Sequence, residues 1–454
     1  MHTPSVVEPT AGVGPDRVTH ARVFAIAGPA MVANLTTPLL GIVGTAAIGH
    51  LGEASLLGAV AMASIVFDFI FWLFGFLRMG TVALTAQALG AGDASERRAV
   101  LARALLVAGV IGLALITCQA AVAWAAFGLM AGSAAVTQAA RAYFFIRIWS
   151  APFALGNYVL TGWLVGLARA GTALALQIAV NLFNIAATLL LVVGLGLGTG
   201  GVALATLLAE IVGFAVGMVV ALRLLGGRLG LDVACVFDRA RLLRMVVVNR
   251  DIMIRTAALI GAFAFFTSQG ARAGDQTLAA NAVLLNFILI GAFFLDGLAI
   301  AAQQLCGRAS GASDRPGFGR AVRLVIGWSV AFGLLASAAF VIGGASLIAA
   351  MTTSPEVRDA ARQFMMIAAL APAAGALAYG FDGIYVGATW TRDMRNLMIA
   401  ALALYFAAWW AFRAYGNAGL WAALLIFLLA RGMLQATRYR TLEQATFGSS
   451  RSRQ

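Results

Sequence analysis

The sequence predicts an all-α polytopic membrane protein with twelve transmembrane helices, in two six-helix lobes related by a pseudo-two-fold axis along the membrane normal. Three observations lead there. Of 454 residues, 62% are hydrophobic and 11% charged, against about a quarter charged in a soluble domain, and the mean hydropathy is +0.92. The apolar residues fall into about twelve stretches of roughly 20 to 30, each long enough to cross a hydrocarbon core of about 30 Å as a helix, while the alternating segments of about ten residues that mark a β-barrel are absent. Finally, Leu84 to Asp93 (LTAQALGAGD) aligns with Leu305 to Asp314 (LCGRASGASD), and Gly162 to Gly166 (GWLVG) with Gly383 to Gly387 (GIYVG), both at an offset of 221. A shared offset argues for duplication. Six helices return the chain to its starting side, so the two repeats are parallel.

The elements follow in order. Residues 1–21 form a polar N-terminal tail without an apolar h-region, so no cleaved signal peptide is expected and the first helix directs insertion. The first lobe, 22–225, holds six helices over about 22–47, 55–80, 97–125, 135–166, 170–194 and 200–225. A polar linker, 226–247, separates it from the second lobe, 248–438, with helices over about 248–272, 277–306, 318–345, 358–388, 395–415 and 417–438. Residues 439–454 are a basic tail. About 22 of the 31 arginines lie in the tails and in loops on the side of the chain ends; about six (Arg141, Arg147, Arg272, Arg358, Arg362 and Arg413) lie near the other side. Positive-inside topology places both termini in the cytoplasm.

Composition also excludes functions. Every one of the 31 basic residues is Arg, so there is no Walker A lysine for a P-loop ATPase and no lysine for a retinal or pyridoxal Schiff base. The three histidines (His2, His20, His50) lie in the tail or at a helix end, which excludes paired haem ligands and an H-E-x-x-H zinc helix. No serine stands in G-x-S-x-G, and no nucleophile, base and metal set appears, so a membrane-embedded enzyme ranks last. Cys118, Cys235 and Cys306 are read as packing residues, not a disulfide framework. The arginines are scattered over loops without an aromatic platform, so nucleic acid is not an expected partner. No cofactor or bound metal is expected.

Four carboxylates stand well inside apolar helices: Asp68, Glu210, Asp296 and Asp382. An ionised carboxylate there costs about 2.5–3.5 kcal/mol on the insertion scale. Each is either held protonated or paired with an intramembrane Arg such as Arg78, Arg255 or Arg431, or it is a desolvated acid that exchanges a proton near neutral pH, as a proton-coupled carrier needs. Polar residues accompany them. Asn34, Asn157, Asn181, Asn184, Thr188 and Thr206 lie within first-lobe helices; Asn181 and Asn184, and Asn184 and Thr188, share a face by spacing. Interhelical hydrogen bonding accounts for any one of them, at about 0.6 kcal/mol each; their convergence on one lobe points to a cavity. Pro29, Pro38, Pro152 and Pro372 are candidate helix-bending points.

Specific strings carry a resemblance. Gly28-Pro29, Asn34, Pro38 to Thr45 running on to Ile48 to Gly52, Phe71 to Gly80 with Leu84 to Ala88, Asn249-Arg-Asp-Ile252 with Arg255-Thr256, Leu278 to Leu285, Asp296-Gly297, Asp382-Gly383 with Gly387-Ala-Thr389, and Thr391 to Asn396 resemble, in order and spacing, the DinF-like branch of the multidrug and toxic compound extrusion (MATE) family. The resemblance spans about residues 20–440. It implies a twelve-helix, two-lobed antiporter of the bacterial inner membrane that exports small organic, often cationic or amphipathic compounds by alternating access. Inward protons or sodium drive such carriers, and a monomer is expected. Departures matter as much. Gly44 and Thr188 stand where the family commonly has aspartates, and Gln303 replaces a frequent glutamate seven residues after Asp296. Asn157, Asn184 and Thr206 match. Asp68 is then a candidate relocated carboxylate, with Glu210 the other in that lobe. Two alternatives stay open: coupling moved to the second lobe, and a lipid or lipid-linked precursor flippase of related architecture.

Overall fold

The computed structural model describes residues 18–49, 54–130, 132–227, 230 and 232–448. Most of the N-terminal tail and the last six residues therefore lie outside the described residues, as does the side chain of Pro38. The chain is helical almost throughout. α1 (His20–Gly49) is one helix that runs through Pro29 without a break. α2 (Ala54–Leu73) and α3 (Phe76–Gly90) follow, and α4 (Ala94–Thr117) continues past Cys118 as α5 (Gln119–Leu129). α6 (Ala134–Arg147) passes through a single 3₁₀ turn into α7 (Ala151–Gly166), and α8 (Ala170–Thr188) ends in a π-helical turn, Leu189–Gly194. α9 (Gly198–Leu224) closes the first half. Next come α10 (Val233–Val236), α11 (Arg239–Arg272), α12 (Asp275–Gly311), α13 (Arg315–Met351), α14 (Pro355–Ala369), α15 (Ala371–Gly387), α16 (Thr391–Phe412) and α17 (Gly416–Gly448).

These elements make twelve spans. By length and composition, eight continuous stretches are apolar enough to cross a membrane, and α14 with α15, bent by 42°, makes a ninth. One of the eight, Thr391–Gly448, has 58 residues, about 87 Å as a straight helix, far more than a bilayer needs. It reverses at Gly416, whose φ of 58° glycine adopts without a Cβ penalty, and so supplies two antiparallel spans. α1 and the α6–α7 rod complete the twelve. Of the candidate bends, Pro152 and Pro372 each stand in the first turn of a helix that restarts after a break, where a missing N–H costs nothing. α11 begins nine residues before the apolar stretch and α17 runs on to Gly448, because arginine-rich segments are good helix formers whether or not they sit in lipid.

The duplication is visible as reciprocal packing. Gly90 of α3 lies against the carbonyl of Arg308 in α12, and Gly311 of α12 against the carbonyl of Gln87 in α3; both residues and both partners are 221 apart. A Cβ on Gly166 would stand 2.9 Å from the carbonyl oxygen of Val82, and one on Gly387 2.6 Å from that of Gln303, again at the same offset. The turns repeat too. Ala168 and Thr389 share positive φ (62° and 58°), as do Gly92 and Ser313 (72° and 55°). Asp93 caps α4 by accepting from the Glu96 N–H (2.8 Å), and Asp314 caps α13 by accepting from that of Gly317 (2.9 Å). Two chemically different sequences adopt one fold about a two-fold axis.

Among the described residues, the lobes meet at one end only. On the side carrying the chain ends, one continuous core joins residues of both lobes, from Val23 and Leu77 to Leu305 and Tyr385. Towards the opposite side there are two separate cores. One holds first-lobe residues such as Phe67, Phe144 and Val192, the other second-lobe residues such as Phe287, Tyr405 and Trp421. Hydrogen bonds follow the same division. Gln87 donates to the carbonyl of Gly387 (2.8 Å) and accepts from Arg244 (2.6 Å), Trp328 donates to His20 (3.0 Å), and the contact between Asn34 and the Phe293 carbonyl (3.3 Å) lies near mid-depth. Among the described residues, no hydrogen bond joins the lobes beyond that depth.

Candidate functional site

The first lobe presents two adjoining polar clusters along α9. In the first, Asn184 donates to Thr206 (3.3 Å), Thr188 donates to Asn184 (3.4 Å), and Thr206 donates to the Val202 carbonyl (3.0 Å). Gly44 of α1 faces the same place: a Cβ there would lie 3.8 Å from Val202 Cγ1. So Gly44, Thr188, Asn184 and Thr206, scattered over three helices, are gathered by the fold into one cluster that contains no carboxylate among its described members.

The carboxylates lie one turn further along. Glu210 follows Thr206 by four residues and so projects from the same face of α9. Asn157 of α7 donates to its side chain (2.7 Å) and to its backbone carbonyl (3.0 Å). Arg147, at the end of α6, acts electrostatically on both Glu210 and Asp68 of α2. Its guanidinium lies 4.5 Å from the centre of the Phe67 ring and donates to Tyr143 (3.1 Å). Asp68 itself is exposed from the helix bundle. Tyr158 of α7 is close enough to Asp68, Glu210, Arg147 and Arg78 to feel all four charges, which places them around one point. Asn181 belongs elsewhere: it accepts from Gln177 (2.9 Å) and donates to Thr36 (3.0 Å), tying α8 to α1.

Arg147 lies within the helix expected over about 135–166. It is the last residue of α6, but a rod continues through the 3₁₀ turn into α7, so the position is inside the bundle.

The second lobe treats its acids differently. Asp382 of α15 accepts from Arg255 of α11, from Arg431 of α17 (2.7 Å) and from Gln435 of α17 (2.7 Å), and all four side chains are buried. Its lone pairs are taken by two cations and an amide, so the carboxylate is locked between three helices. Asp296 of α12 makes no hydrogen bond among the described residues; it faces the charges of Arg78, Arg255 and Arg431, the first of which belongs to the other lobe. Arg431 is the 221-residue counterpart of Glu210. The two halves thus carry opposite charges at equivalent places. Gln303 is buried where α12 packs on Gly387, apart from this cluster. Asp251, fully buried, pairs with Arg395 (2.7 Å), which joins two of the strings noted above, Asn249 to Ile252 and Thr391 to Asn396, and fastens α11 to α16.

The match with known proteins is extensive. The MatE family model fits residues 29–190 and 252–408. The chain belongs to the MatE family. Its similarity to Escherichia coli "DNA damage-inducible protein F", 35% identical over 416 residues and 91% of each chain, agrees with the DinF-like branch expected from the sequence. The chain is also 29% identical over 453 residues to the "Probable multidrug resistance protein NorM" of Caulobacter vibrioides, covering 95% of this chain and 93% of that one. Among solved structures, a multidrug resistance MATE family transporter of the MOP superfamily in an outward-facing conformation superposes with a TM-score of 0.84 at 18% identity, over 94% of this chain and 96% of that one. A MOP superfamily transporter from Pyrococcus furiosus gives 0.85 at 18%, over the same shares. At such identity these structures speak for the twelve-helix MATE fold alone. The protein is an integral membrane transporter by family.

Proposed function

We propose that this MATE protein exports small organic compounds across the bacterial inner membrane by alternating access, driven by inward protons that bind at Glu210 and Asp68. The observation that carries this reading is the unequal treatment of the intramembrane acids. Asp382 is held by two arginines and a glutamine, so releasing or protonating it would strand buried cations, an outcome that costs several kcal/mol. Glu210 is held by a single amide and Asp68 by no hydrogen bond among the described residues, with one cation, Arg147, acting electrostatically on both acids. That arrangement tolerates both charged and neutral forms. The place where the family commonly carries its aspartate holds Gly44 and Thr188, and Glu210 supplies an acid one helical turn away.

The cores joined on the side of the chain ends and separate on the other support an outward-facing state, with both termini cytoplasmic in keeping with the arginine distribution. Protons entering from outside neutralise Glu210 and Asp68, weaken the hold on an organic cation and favour return to the inward-facing form. The test is efflux of a cationic dye from proteoliposomes under separate proton and sodium gradients. Asp68→Asn with Glu210→Gln is expected to lose its dependence on the proton gradient, and Asp382→Asn to lose protein stability first. Full gradient dependence in the double variant overturns the assignment; efflux driven by sodium at clamped pH overturns the proton.

A further inference from the structure

On the chain-end side, the first lobe has a cavity of about 110 Å³ bounded by Arg97 and Arg98 of α4, Trp163 and Leu167 at the end of α7, and Leu224 and Leu225 at the end of α9. By the same measure one water needs about 10–15 Å³, so the space takes a group the size of a phosphate. Neither guanidinium makes an ion pair or side-chain hydrogen bond among the described residues, and the Nε of Arg97 is buried without a partner. The nearby acid does not compensate them: Glu96 is taken by Arg103 (2.6 Å) and Arg241. Trp163 donates its indole N–H to the Arg97 carbonyl (2.9 Å), which fixes the wall of the cavity.

The second lobe shows what this place becomes when it is only packing. The residue 221 after Arg97 is Phe318, fully buried, and its ring lies 5.6 Å from Trp390 and 5.2 Å from Phe447. Trp390 in turn donates to Thr446 (3.0 Å), the counterpart of Leu225. There α17 continues to Gly448 and plugs the site with aromatic rings, whereas α9 stops at Leu224 and the space is lined by two unpaired cations above three leucines.

We propose that this cavity binds the phosphate of an anionic phospholipid, with an acyl chain running along Leu167, Leu224 and Leu225. Two guanidiniums unpaired among the described residues select a phosphate oxyanion, and the partly exposed Leu167, Leu224 and Leu225 beside them, at the chain-end limit of two membrane spans, offer a path for an acyl chain that a soluble anion does not use. The site is separate from the proposed coupling carboxylates, so it stands whether or not their role does.

Native mass spectrometry of the protein released from nanodiscs of phosphatidylglycerol and phosphatidylcholine tests it. The wild type is expected to retain phosphatidylglycerol preferentially, and Arg97→Gln with Arg98→Gln to weaken that retention by about tenfold or more. Arg97→Lys with Arg98→Lys keeps the charge and should restore most of it, and the single Arg98→Gln, at a partly exposed position, provides a milder variant if the double one unfolds. Inorganic phosphate at millimolar concentration is the second arm. Equal retention of phosphatidylcholine, undiminished phosphatidylglycerol in the folded glutamine variants, or displacement of the lipid by inorganic phosphate each overturns the proposal.

Discussion

Arg431 donates to Asp382 across 2.7 Å, and Arg255 reaches the same carboxylate oxygen from another helix. Removing the acid leaves two buried cations facing one another. Asp382→Asn is expected to lower stability in detergent by about 3–5 kcal/mol, read as a fall in thermal midpoint, while Asp382→Asn combined with Arg431→Met regains a large part. Loss of transport without loss of stability would show that Asp382 serves the coupling chemistry.

Arg147 acts electrostatically on both Asp68 and Glu210. Taking it away removes the cation that acts on both acids. Arg147→Gln is expected to lower proton-driven efflux and to change its pH profile, read in proteoliposomes over a series of external pH values. An unchanged pH profile in a folded variant would separate Arg147 from the coupling site.

Gly44 has room for a side chain, since a Cβ there meets only Val202 Cγ1, at 3.8 Å, among the described residues. Gly44→Asp places a carboxylate against α9 beside Val202, one helical turn from Thr206, without an evident clash. It is expected to restore gradient-driven efflux to the Glu210→Gln variant. No gain would mean that the polar cluster around Thr206 no longer communicates with conformational change.

Gly90 lies against the Arg308 carbonyl and Gly311 against that of Gln87. Gly90→Leu must push the lobes apart on the chain-end side, an overpacking cost of about 1–3 kcal/mol that shifts the balance between states by roughly 5- to 150-fold. Cross-linking of Gln87→Cys with Thr389→Cys, whose wild-type side chains approach to 3.4 Å, should fall sharply in that background. Undiminished cross-linking would contradict the role of the glycine pair.

Glu96 serves two arginines unequally. The Arg103 side chain is 2% exposed and that of Arg241 43%. Glu96→Gln strands the buried Arg103 and should cost several kcal/mol, whereas Arg241→Gln, a solvent-screened loss, should cost at most about 1. Comparing the two thermal midpoints, and their salt dependence, checks the order.

Much of this was legible in the sequence because a bilayer imposes a coarse rule. Long apolar stretches must be helices, so twelve spans and the 221-residue repeat followed from hydropathy and two short strings. The repeat proved more exact in space than in letters: Gly90 and Gly311 meet carbonyls of residues 221 apart, and Ala168 and Thr389, different in type, share a positive φ. Helix ends were less legible: polar segments of α11 and α17 are helical, because hydropathy marks what touches lipid and not where a helix stops.

The sequence by itself determined the class of protein, the family, the number of spans and the short roll of acids within them. It could not say which acids are free. Asp382 and Glu210 look alike in a hydropathy plot, each a lone carboxylate in an apolar helix. Only the tertiary structure sets Asp382 between Arg255, Arg431 and Gln435, and Glu210 beside Asn157 with Arg147 in electrostatic reach. The reason is physical: the fate of a buried charge depends on partners that lie tens to hundreds of residues away, and only packing brings those partners within hydrogen-bonding distance.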